Sequence, residues 1–538
     1  MRTHNPTRLA VAVVGAATLA LPLAGTTAVA KPAPKPAPVP GPLNLGSPDQ
    51  TETRTTTMVQ RGVTHTLITR GGTDSSLRWI VEVNMPSQAT SPDPDAPARS
   101  IQDKAAAEAT RARLADAGFA ATVEAVEQPA VADLPASTLG HRLRLDQTFA
   151  TKAEADALVA DLKAKGFSTR SWFTGWDGGT QAKGPWRINV LTIDPKHFKG
   201  ELGATFGPDL ATREKTTELA AFVGARAAIN AGFFVMDPKA GAEGDPAGVA
   251  VYDGKLVSET IADRPALVLD PKARHTRVVN PVWKGEARLD GQRLQLDGIN
   301  RVIGLIRNCG GDATDKVTAL PLHDVTCTDD AELVAYTPDF AASTPAGEGA
   351  EVVLQGKRVV AAKATRGTAL KAGQTSIQAT GAYAQQLLSE VQVGERGTWT
   401  QRLTDGRARL DKPRTTVVNG GPELVRDGNL FVTQKRDGMN QPLNPSFDYG
   451  WVLQRNPRTF AGVDAQGRTL LVTVDGRQLT DLGLSIPEAA QVAKDLGMTD
   501  AINLDGGGST AMVVDDELVT SPSDATGERG VGDAIVVE

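Results

Sequence analysis

The chain has 538 residues, a formal net charge of −6, 40% hydrophobic and 22% charged residues, and two cysteines. That length exceeds one compact core and implies two or more domains. The composition is that of a globular protein, and the acidic balance excludes a general attraction to nucleic acid.

In chain order, Arg2 and Arg8 precede an apolar run over residues 9–23, and Ala28-Val29-Ala30 supplies a small-x-small cleavage pattern. This predicts a secretory signal peptide over residues 1–30, hence a secreted or wall-associated chain. The run is short for a spanning helix, which needs about 20 residues, although an uncleaved anchor is the alternative. A proline-rich linker is expected over residues 31–60, beginning "KPAPKPAPVPGP", too poor in apolar residues for a core.

An internal repeat follows. "RARLADAGFAATVEAV" from Arg111 and "VADLKAKGFSTRSWF" from Val159 each place a leucine (Leu114, Leu162) four residues before Gly-Phe. Each unit reads as strand, Ala-rich helix, glycine stop, strand, with strands near residues 79–84, 119–126, 141–145 and 167–173. Two units make a βαββαβ, ferredoxin-like layer of helices on a sheet. This pattern resembles the SPOR domain, a small bacterial module that binds peptidoglycan stripped of its stem peptides, over residues 77–175. An unrelated ferredoxin-like spacer is the alternative.

"GWDGGTQAKGPW", residues 175–186, reads as a hinge, since Gly178-Gly179 and Gly184-Pro185 are breakers. The remainder, 186–538, is rich in short β-like runs with few helices, near 380–390 and 486–496, and predicts an α+β domain with mixed sheets. Its cysteines, Cys309 and Cys327, are most simply one disulfide in an exported protein, or else two buried thiols.

The chemistry is expected near the C-terminus. A β-run over 469–474 ends in Asp475-Gly476-Arg477. A helix follows, with Ser485 and Glu488 fitting a capping box and Gly497 as its stop. A second β-run ends in "NLDGGGST", Asn503 to Thr510. If the two strands are parallel, Asp475 and Asp505 emerge at one carboxyl edge, where open sheets place ligands. Gly506, Gly507 and Gly508 lack a Cβ, so backbone N–H groups can approach a ligand closely, and Ser509 and Thr510 add hydroxyls. The turn is not a Walker loop, because no Gly-Lys-Ser/Thr follows. Arg458, Arg477 and Arg529 are candidates for phosphate. Asn419-Gly420-Gly421-Pro422, and Asn230 with Gly232, supply two more loops. The six histidines are scattered without ligand spacing. No cofactor is implied, although an oxygen-only Ca²⁺ or Mg²⁺ site stays open.

Six ordered phrases resemble the phosphodiester glycosidase family, that of the mammalian uncovering enzyme: "INAGFF", "NGGPELVRDG", "NPRTFAG", "VDGR", "GLSIPEA" and "NLDGGGSTAM". The resemblance covers about 186–538. It implies a hydrolase that cleaves a sugar-1-phosphodiester, typically α-GlcNAc-1-phospho-6-sugar, at a site built from these phrases. Asn419 replaces a usual glycine, Phe460 sits beside Arg458-Thr459, and Gly532-Asp533 stands where a Ser-Asn pair is usual.

A phosphate leaving group, with a second pKa of about 6, needs little protonation. Asp505 or Asp475 would then activate water or attack the anomeric carbon, with the three arginines on phosphate. Glu488 is a third candidate acid, with its capping role as the alternative. The substrate would be an envelope or exopolysaccharide polymer, with the N-terminal module on peptidoglycan. The competing readings are a non-catalytic envelope-binding protein and a phosphodiesterase that breaks P–O on the same scaffold.

Overall fold

An eight-stranded antiparallel sheet organises the large domain. Its spatial order is Glu52–Gln60, Val63–Arg70, Trp186–Ile193, Thr469–Val474, Arg458–Asp464, Met498–Asn503, Glu423–Arg426, Asn429–Leu430. Thr469–Val474 and Met498–Asn503 are both antiparallel to the Arg458–Asp464 strand between them, so they run parallel to each other. The helix joining them, Ile486–Asp495, starts at the expected Ser485/Glu488 capping box and buries Ala489, Val492 and Ala493. Gly497, at φ +87°, turns the chain out of it.

Side chains alternate across these strands and fill two cores. On one face Phe460, Val472 and Val474 pack under the Ile486–Asp495 helix. On the other, Ala461, Leu471, Ile502 and Leu504 meet Ile229, Met512 and Ile535 of a five-stranded sheet. Each fully buried Leu or Ile here contributes about 1.5–3 kcal/mol.

The computed structural model describes residues 41–85, 98–306, 314–318, 327–442 and 444–538. The expected signal peptide and the linker up to residue 40 lie outside the described residues, as does Cys309; Cys327 is buried in a short strand. From Pro40 onward the chain is one compact unit. Among the described residues no helix is long and apolar enough to cross a membrane.

The βαββαβ expectation matches the strands Trp79–Val83, Ala121–Gln128, Ser137–Phe149 and Thr169–Phe173 and the helices Lys104–Asp116 and Lys152–Ala164. Their four-stranded sheet is antiparallel throughout. The two repeated leucines, Leu114 and Leu162, are fully buried on its helices, with Ala107 and Ala155 beside them.

Two expectations change. Residues 52–60, read as linker, form the outer strand of a hairpin whose second strand pairs with Trp186–Ile193. The βαββαβ module is therefore inserted between two neighbouring strands of the large sheet. The hairpin is Thr-rich and turns at Arg61-Gly62, with Gly62 at φ +84°. The segment read as a hinge is docked instead. Trp186 is fully buried and donates to the Gly483 carbonyl (2.9 Å), and the Gly179 N–H donates to Glu488 (3.0 Å).

A lateral region carries a three-stranded sheet, Gln292–Leu296, Val282–Leu289, Gly397–Thr404, in that spatial order. Its inner face, with Ala287, Leu289 and Leu296, packs on Leu333, Val352 and Ile377 of another sheet. The architecture is α+β, mostly strands with few helices.

Candidate active site

Backbone register puts both aspartates at one edge. Val474 lies opposite Arg458, and Asn503 lies opposite Phe460 on the far side of the same strand. Asp475 and Asp505, just past those strand ends, therefore flank Pro457-Arg458. With one strand between them, their backbones are roughly 10 Å apart.

All six phrases converge on this edge. The Asn230 side chain donates to the Asp505 carbonyl (2.7 Å) and accepts from Thr459 Oγ1 (2.6 Å) and the Ala511 N–H (3.1 Å). The Asp505 N–H reaches the Ala231 carbonyl (3.0 Å), and the Gly507 N–H reaches the Pro457 carbonyl (3.0 Å). Asn419 accepts from the Phe233 N–H (2.9 Å), and Asn503 donates to the Gly421 carbonyl (3.0 Å). Asn230 and Asn419 thus act as buried clips between loops.

The glycines are required by crowding. A Cβ on Gly232 would lie 2.5 Å from Asn419 Nδ2, one on Gly420 2.6 Å from the Asn503 carbonyl, and one on Gly506 2.9 Å from the Pro457 carbonyl. A Cβ on Gly508 would overlap the Arg529 guanidinium and the Asp524 carboxylate.

The arginines divide. Arg529 comes to the Gly508 turn in a two-pronged pair with Asp524 (2.8 and 3.0 Å). Arg477, at φ +57°, is fixed on Asn456 Oδ1 by Nε (3.0 Å) and Nη2 (2.8 Å). Arg458 is buried and donates to the carbonyls of Leu484 (2.8 Å) and Trp451, which makes it a strut between the strand end and the helix entry. Glu488 completes the helix cap and receives Arg455 (2.6 Å), so its carboxylate is engaged structurally.

The electrostatics single out Asp475. It is 1% exposed, and Oδ1 accepts from the Ser521 N–H (3.1 Å). Arg187 stands 3.8 Å from Oδ2, which has no hydrogen-bond partner. Burial, helped by the nearby charge of Asp481, pushes its pKa up to about 7. Burial also raises Asp481. Asp481 Oδ1, Asn503 Oδ1 and Ser509 Oγ are likewise buried without a hydrogen-bond partner.

Sequence reasoning missed Asp481 and the role of Asp533. Asp533 accepts from the Gly232 N–H (2.8 Å) and the Tyr252 hydroxyl (2.9 Å), and burial pushes it up to about 6. The Asp in "GVGDA" was visible as a departure from the family phrase, but its partner Tyr252 lies far away in sequence. Among the described residues, no group of three or more His, Cys, Asp or Glu is placed to hold a metal ion.

Residues 348–538 match the phosphodiester glycosidase family, and residues 98–174 match the SPOR domain. The N-acetylglucosamine-1-phosphodiester alpha-N-acetylglucosaminidase of Mus musculus is 30% identical over 113 residues, 21% of this chain and 22% of the relative; that of Homo sapiens is 28% identical over 115 residues. The chain thus spans about a fifth of the length of these relatives. A solved protein described as exported, from Burkholderia pseudomallei, is 33% identical, with TM-score 0.80 over 92% of this chain and 98% of its own. A Synechocystis protein, 18% identical with TM-score 0.51 over 90% of this chain and 76% of its own, shares the fold. Residues 348–538 thus carry the likeness to the phosphodiester glycosidase family, and residues 98–174 the likeness to the SPOR domain.

Proposed function

We propose that the chain is an exported glycosidase that hydrolyses sugar-1-phosphodiesters of the GlcNAc-1-phosphodiester kind in envelope or exopolysaccharide polymers. It would release the sugar and a phosphomonoester, with the SPOR domain holding the enzyme on peptidoglycan. The carrying observation is the convergence of six separate phrases on one sheet edge that bears Asp475 and Asp505. The family match over residues 348–538 and the activity printed for the mammalian relatives support this reading.

The chemistry follows from what each group offers. Asn503 Oδ1 and Ser509 Oγ supply buried polar atoms for sugar hydroxyls. Arg529, beside the Gly508 turn, stabilises charge that grows on the departing phosphate. Asp505 acts on water or on the anomeric carbon. The C–O bond breaks, its electron pair leaves with the phosphate, and the oxygen of water ends on the sugar. Asp475, raised to about 7, holds or gives a proton near neutral pH.

The test is release of free GlcNAc from a small GlcNAc-1-phosphodiester by the purified full chain, beside Asp505→Ala. Release by the native chain and a loss of at least ~10³-fold in the variant are expected. An inert native chain would favour the binding-protein reading.

A further inference from the structure

The lateral three-stranded sheet has an outer face that the proposed chemistry does not use. Along Val282–Leu289 that face carries Lys284, Glu286 and Arg288, alternating with the inward Ala287 and Leu289. Lys284 pairs directly opposite Arg402, and Arg288 directly opposite Arg293. Arg409 stands beside them, bridged to Thr404 at the end of the same sheet. Five cations thus gather on one face of a protein whose net charge is −6.

The internal counter-charge is small. Glu286 is shared by Arg288 (2.7 Å) and Arg293 (2.8 Å), and Arg409 is held by Asp411 (2.8 Å). Opposed residues of an antiparallel pair have Cβ atoms about 4.5–5.5 Å apart, and like charges there are destabilising. Lys284 against Arg402 is such a pair. A shallow cavity of about 700 Å³ lies over it, lined also by Arg293, Gln295, Thr400 and Arg409. Charge and hydrogen-bond donors are thus concentrated where they cost stability, as is expected where they meet an external anion. Guanidinium groups suit the paired oxygens of a phosphodiester.

We propose that this face is a docking site for the phosphodiester-linked polymer itself, a polyanionic chain held through its backbone phosphates away from the bond that is cut. The proposal rests on the sugar-phosphodiester reading and extends it from the bond to the polymer. A repeating anion gains from several spaced cations at once, whereas a small substrate touches the catalytic edge alone.

The probe is a purified poly(glycerol phosphate) chain, titrated into full-length Asp505→Ala protein so that turnover does not interfere. Binding should weaken at least tenfold in the exposed pair Lys284→Glu/Arg402→Glu, and less in Lys284→Gln/Arg402→Gln. It should also fall as salt shortens the screening length from about 10 Å at 0.1 M. In chains retaining Asp505, the same pairs should raise KM for the polymer and leave hydrolysis of the small GlcNAc-1-phosphodiester unchanged. Unchanged polymer binding in both folded variants would overturn the proposal, as would tighter, equally charge-sensitive binding of double-stranded DNA. Failure of small-substrate hydrolysis alone would strike the catalytic reading and leave polymer binding to stand or fall by itself.

Discussion

Glu82 and Asp475 are both buried carboxylates, and their surroundings drive them in opposite directions. Glu82, in the inserted SPOR sheet, is 0% exposed and receives Arg144 (3.0 Å), Arg170 (2.5 Å) and the Tyr449 hydroxyl (3.0 Å). The two guanidiniums outweigh its desolvation and hold its pKa down at about 2. Asp475 is equally buried, but one backbone N–H and a more distant arginine do not compensate its burial, and it rises to about 7. Buried carboxylates are thus of two kinds here. One joins the SPOR sheet to the rest of the chain through Tyr449. The other is poised to exchange a proton.

Substitution at each position sharpens that contrast. Asp475→Asn should lower kcat by about 10²–10⁴-fold while the chain stays folded, measured with the small phosphodiester. Its raised pKa means that wild-type stability from this group is full below about pH 4 and is lost as pH rises through about 7. The change is at most roughly 4 kcal/mol. Unfolding of Asp475→Asn should therefore lack this decline between pH 4 and 7.

Glu82→Ala should do the reverse. It leaves Arg144 and Arg170 short of a buried partner and should cost about 3–5 kcal/mol, read as a lower denaturation midpoint. Hydrolysis of the small substrate should persist in the folded fraction. The stabilisation from Glu82 is present above its ordinary pKa and is lost as pH falls from about 4.5 through about 2. Similar effects of the two substitutions on kcat would break the comparison.

Asn230→Ala removes the clip on the Asp505 turn and strands the Ala511 N–H and the Asp505 carbonyl. A loss of about 1–3 kcal/mol is expected, with reduced activity because the turn is released. Gly508→Ala should be milder in stability. It displaces Arg529 from the turn, so it should act on KM and kcat for a phosphate-leaving substrate.

Much of this edge was legible in the sequence. The matched β-runs ending in Asp475-Gly476 and Asp505-Gly506, with a capped helix between, placed both aspartates at one carboxyl edge on the condition that the strands run parallel, which they do. The repeat around Leu114 and Leu162 likewise predicted the βαββαβ module. The hairpin over residues 52–70 was obscured because its strands are Thr-rich and follow a proline run, so they looked solvated. That left the SPOR domain's insertion between paired strands invisible. Asp481 and Tyr252 carry no local motif, and only packing against Asp475 and Asp533 gives them meaning. Arginine type alone did not separate Arg529, at the turn, from Arg458, which is occupied by carbonyls of its own chain.

The most direct test of the account is hydrolysis of a GlcNAc-1-phosphodiester by the full chain in ¹⁸O-labelled water. Label appearing in the released sugar is the predicted result, because water replaces phosphate at the anomeric carbon. Label in the phosphate, with none in the sugar, would show P–O cleavage and contradict the glycosidase reading of this edge.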